Sequence, residues 1–160
     1  MTLDSPHKVS SEVLAADDIR LLAEIGFMAC GAGHAKAAKS LFEGLRVLRP
    51  DHAFPYIGLA LARLGAGAND EAVRILRDEG LAANPENNEI KVFLGLALNM
   101  ARRPSESARV LQEVLVHTGD DSPELNLARR LLGRDGKDLE DMAINAGRPY
   151  GKGQKSSAPD

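Results

Sequence analysis

The chain repeats itself with a period of about 34 residues, and this limits the available folds more than any other feature. Small residues recur at Ala38, Ala72 and Ala108, 34 and 36 positions apart. Prolines recur at Pro50, Pro85 and Pro123, 35 and 38 apart. Gly-Leu-Ala-Leu stands at 58–61 and again at 95–98, with an aromatic two residues earlier each time, Tyr56 and Phe93. Arg-Val-Leu at 46–48 and 109–111 is echoed by Arg-Ile-Leu at 74–76. A unit of this length holds two helices and a turn. One copy cannot bury its own apolar face, so copies must stack.

The local pattern agrees. Ser11, Glu12, Asp17 and Asp18 are suited to a helix start, and Ile19, Leu22, Ile25, Gly26 and Ala29 follow on one helical face. Gly31-Ala-Gly33 breaks that helix. Ala35, Ala38, Leu41, Phe42, Leu45 and Leu48 form a second, stopped by Pro50 because the residue before a proline leaves the α region. The same syntax returns over 54–64 and 70–81, and again over 89–100 and 105–117. Residues 124–132 make a capping helix, with Leu125, Leu127, Leu131 and Leu132 inward and Arg129 and Arg130 in water. Residues 138–146 make at most one short helix more. The expected fold is all-α, a solenoid of three helix pairs plus a C-terminal capping helix over residues 11–146. Residues 1–10, polar and containing Pro6, are expected to be a flexible N-terminus. Residues 147–160, rich in Gly, Pro, Ser and Lys, are expected to form a disordered tail that cannot offset its ordering entropy.

These residues resemble the tetratricopeptide repeat, a 34-residue helix–turn–helix unit. In the first copy Leu22, Ile25 and Gly26 match the family's first helix, and Ala38, Phe42, Leu45 and Pro50 its second. Tyr56, Leu59, Ala60, Ala72 and Leu76 match in the second copy, and Phe93, Leu96, Ala97 and Ala108 in the third. The family's first-helix Tyr is replaced by Ala29, Arg63 and Met100, and the last Ala of the second helix by Leu45, Glu79 and Leu115. The resemblance covers residues 19–123. It implies that the first helix of each pair lines a concave surface.

Composition removes several function classes. Hydrophobic residues are 44% and charged residues 27%, as in a globular chain, and aromatics only 4%, which suits close helix packing. The formal net charge of −3 lacks the basic excess of a nucleic-acid binder. No apolar run reaches the roughly 18 residues of a membrane span, and the first ten residues lack a signal peptide's apolar region, so membrane insertion is not expected. One cysteine precludes an internal disulfide framework. A cytoplasmic location is expected.

No catalytic constellation stands out. His7, His34, His52 and His117 show no metal-ligand spacing. Cys30 has no His–acid pair and reads as a packing residue. Gly31-Ala-Gly33 and Gly65-Ala-Gly67 lack the strand and Lys-Ser/Thr ending of a phosphate loop. No enzyme activity, metal or cofactor is expected.

The functional expectation therefore rests on the concave face. Its candidates are Phe27, Phe54, Ile57, Leu61, Leu64, Leu94 and Leu98, flanked by Arg20 and Lys91. Two readings are open. These side chains line an apolar groove for an amphipathic partner helix with anchors at i, i+3/i+4 and i+7, or they are buried in a tightly closed array. The first makes the chain a chaperone or adaptor. In size, acidity and its Leu45-Arg-Val-Leu-Arg-Pro50-Asp51 phrase it resembles small type III secretion chaperones, which hold needle or translocator subunits. That resemblance implies a secreted subunit as partner. The alternative is homodimerisation that buries the same face.

Overall fold

The computed structural model describes residues 14–117 and 122–133. The expectations for residues 1–10, 138–146 and 147–160 lie outside them. Among the described residues all regular structure is helical. α1 is Ala16–Gly31 and α2 Ala35–Leu48. α3 is Phe54–Gly65. α4 starts as Asn69–Arg74, widens into π-helical Ile75–Gly80 and closes in Leu81–Ala83. α5 is Asn88–Met100, α6 Pro104–His117 and α7 Pro123–Leu132.

Local chemistry explains these limits. Asp18 accepts the Ala15 N–H at 3.1 Å, one half of a capping box. Asn87 caps α5 through Ile90 N, and Ser122 caps α7 through Leu125 N. Pro123, expected to close a unit, instead opens α7 at its first position, where its missing N–H costs nothing.

Three turns are built alike. His34 N donates to Ala29 O, Ala68 N to Arg63 O, and Arg103 N to Leu98 O, at 2.8, 2.9 and 2.8 Å. Each is the closing bond of a Schellman ending. The residue before each donor has positive φ: Gly33 at 78°, Gly67 at 74° and Arg102 at 59°. These positions are 34 and 35 residues apart.

Each helix packs on the next in chain order. In addition α1 meets α3, α3 meets α5, and α5 meets α7. The crossings set the register. A Cβ on Gly26 would come 2.7 Å from the Phe42 ring, and one on Gly95 would strike Leu111, so each glycine admits a large side chain of its partner helix. Ser107 is buried and donates to the Gly95 carbonyl at 2.7 Å. The buried small residues are therefore Ala38, Ala72 and Ser107, spaced 34 and 35. This corrects Ala108, which is only half-buried. The next turn carries Phe42, Leu76 and Leu111 in the same relation, all fully buried.

The place held by Leu45 and Val114 falls to Glu79 in α4. Its carboxylate is paired with Arg46 of α2 and with Arg74 at 2.8 Å. Neighbouring pairs are also linked by Arg77–Glu106 at 3.1 Å and by Asn69 donating to the Met100 carbonyl at 2.9 Å. No helix among the described residues is long and apolar enough to cross a membrane.

Candidate functional site

The candidates divide. Ile57, Leu61, Leu64, Leu94 and Leu98 are interior, none more than 5% exposed. All five belong to one cluster with Val92 and Leu96 of α5, against which Phe27 and Cys30 of α1 also pack. The odd helices lie against one another, and their facing side chains fill the space that an open groove would need. Leu94 and Leu98 are interior for a further reason. In the observed register they correspond to Leu59 and Arg63, 35 residues earlier, and not to groove positions. The flanking Lys91 is half-buried and 3.5 Å from Glu86.

Phe27 and Phe54 remain at the surface, half-buried. They border a cleft of about 400 Å³ between α1 and the start of α3. Ala16, Ile19, Ala23 and Phe27 supply one wall, because spacings of three and four align them along α1. Phe54 supplies the other, brought there by the loop after Pro50. Both rings are held in place. Phe27 is tilted against Phe42 with ring centres 4.8 Å apart, and His52 meets Phe54 edge-on at 5.8 Å. The rim carries Arg20, Glu24, Arg49 and His52. Arg20 and Glu24 approach to 3.8 Å while both remain largely exposed, and Arg49 donates to the Leu48 carbonyl at 2.9 Å. The floor is apolar and the rim polar, with two arginines against one glutamate.

Sequence reasoning missed Ile19, Arg49 and His52 as lining residues. Ile19 reads as core on α1, and the two loop residues show no helical periodicity. The available signal was the position of the loop, which brings whatever follows Pro50 to the head of α3.

A second cleft, about 420 Å³, separates α5 from α7 and is lined by Val92, Phe93 and Leu127 together with Glu89, Glu124 and Arg130. Burial pushes the Glu89 carboxyl above the usual range, and the neighbouring Glu124 charge adds to the shift. Burial likewise pushes the Cys30 thiol up to about 11, so at neutral pH it stays protonated and a poor nucleophile. Its sulfur faces the Gly58 carbonyl at 3.8 Å. Among the described residues no three His, Cys, Asp or Glu side chains gather where a metal could be held.

The fold and clefts describe an all-α protein. Comparison with family models, curated proteins and solved structures found no match.

Proposed function

We propose that the chain is a protein-binding module of tetratricopeptide type that receives an apolar helix of a partner in the α1–α3 cleft. The observation that carries this reading is the cleft itself, an apolar floor between two ordered phenylalanines beneath a rim that carries two arginines. A helix inserting two or three large apolar side chains would gain about 1.5–3 kcal/mol from each, before association costs. Acidic residues flanking its anchors would meet Arg20 and Arg49 and favour encounter. Turns of a single hydrogen-bonding form at intervals of 34 and 35 residues support the repeat assignment. On this reading the protein is a non-catalytic cytoplasmic chaperone or adaptor, and a secretion subunit with an amphipathic helix is the class of partner it suits.

The test uses a fluorescein-labelled helical peptide with Leu at i, i+4 and i+7 and Glu on its flanks. Fluorescence anisotropy should show saturable binding to the wild type. Phe54→Glu should weaken it by about tenfold or more, because a carboxylate would then face the apolar anchors, while the thermal melt stays near that of the wild type. Equal binding by both proteins would refute the assignment.

A further inference from the structure

The loop between α2 and α3 sets a guanidinium and an imidazole side by side at the rim of the α1–α3 cleft. Arg49 and His52 both line it, and the His52 backbone N–H donates to the Arg49 carbonyl at 3.2 Å, so one turn carries both. The His52 ring meets Phe54, a wall of the cleft, edge-on at 5.8 Å. His52 is exposed, so charging its ring costs little desolvation and disturbs no packing.

The charges around this imidazole come from α1 and from its own loop. α1 supplies Arg20 and Glu24, which stand 3.8 Å apart and offset each other. The loop supplies Arg49, which donates to the Leu48 carbonyl and is paired with no carboxylate among the described residues. Asp51 of the loop and Asp17 and Asp18 of α1 are exposed but do not line the cleft. The head of α3 brings no charge, since the charged residue of that helix is Arg63 in its last turn. Two arginines against one glutamate leave the lining at +1 while His52 is neutral and at +2 once it is protonated. Histidine is the side chain that changes charge between pH 8 and pH 5.

We propose that His52 makes partner binding in this cleft pH-dependent: the acidic flank of the partner lies against the Arg49–His52 turn, and the complex tightens as the pH falls. This rests on the reading of the cleft as a helix-binding site, and adds the side on which the acidic flank sits and the condition that strengthens it. A carboxylate beside His52 favours the charged ring over the neutral one, so binding takes up a proton and acid promotes it. The partner's own glutamates begin to take up protons only near pH 5 and below. The rise in affinity therefore falls between about pH 8 and 5.5.

The probe is the Leu peptide with Glu flanks, labelled with tetramethylrhodamine, whose emission does not change over this range. Anisotropy titrations of the wild type should show affinity rising by about fivefold from pH 8 to 5.5. In His52→Gln the affinities at the two ends of the range should agree within about twofold. A peptide with Gln in place of its Glu flanks should show no such rise on the wild type. Calorimetry in two buffers of different ionisation enthalpy should find net proton uptake on binding by the wild type, and its loss in His52→Gln. Wild-type affinity that is flat over this range overturns the proposal and leaves the cleft reading standing. So does a rise that survives in His52→Gln, which His7→Gln and His34→Gln would then trace, or an equal rise with the Gln-flanked peptide. No saturable binding at any pH overturns both.

Discussion

At the scale of single residues the repeat tolerates substitution wherever the backbone position can be held by other means. Arg102 shows the cost. It stands where Gly33 and Gly67 stand in the earlier turns, with φ at 59°. A side chain in the left-handed region costs roughly 1–2 kcal/mol, and glycine's extra freedom in the unfolded chain returns part of that difference. Arg102→Gly should therefore stabilise the protein by about 0.5–1 kcal/mol, read as a higher denaturation midpoint with unchanged slope. This residue also marks where the sequence stopped being legible. Two turns announce themselves by glycine. The third does not, because arginine occupies its left-handed position and nothing in the residue type signals that.

At the scale of helices the missing marker becomes an error of register. The two Gly-Leu-Ala-Leu segments look equivalent and are not. Gly58 faces Phe42 of the preceding pair, whereas Gly95 faces Leu111 of its own partner helix. Ala60, two residues on from Gly58, is the true counterpart of Gly95. Aligning the tetrapeptides, 37 residues apart, sets Leu94 and Leu98 level with Ile57 and Leu61 instead of Leu59 and Arg63, and the 36-residue step to Ala108 separately misses the crossing that Ser107 occupies. The apolar periodicity alone was enough to recover the helices themselves, because spacings of three and four survive an error in pairing. Ser107→Leu should overpack the α5–α6 crossing and cost about 1–3 kcal/mol. Ala108→Leu, on a half-buried position, should cost clearly less. Thermal melts of the two variants separate the registers, and the reverse order would restore the 36-residue spacing.

At the scale of the whole molecule, the face expected to bind a partner is largely consumed in holding the helices together. Ile57, Leu61 and Leu64 of α3 share a cluster with α5, so what would be a groove in a wider array is interior here. Periodicity shows that such residues are apolar and share a helix face; it does not show how closely the neighbouring helix approaches. Ile57→Glu with Leu61→Glu should leave the chain largely unfolded at 25 °C. Two unpaired buried carboxyls cost several kcal/mol against a total stability of about 5–15 kcal/mol. A circular-dichroism melt with the wild-type midpoint would contradict that burial. Phe27 and Phe54 escape it because α1 and the head of α3 stay apart far enough to leave a cleft.

The central claim, that this cleft receives a partner helix, is tested most directly at two isoleucines on opposite faces of α1. Ile19 lines the cleft and Ile25 faces outward. Methyl NMR of the isoleucine-labelled chain, titrated with the acidic-flanked Leu peptide, reads both faces in one spectrum. The account predicts a saturable shift of the Ile19 methyl resonances, with those of Ile25 unmoved. Ile19 resonances that stay in place at saturating peptide would contradict it.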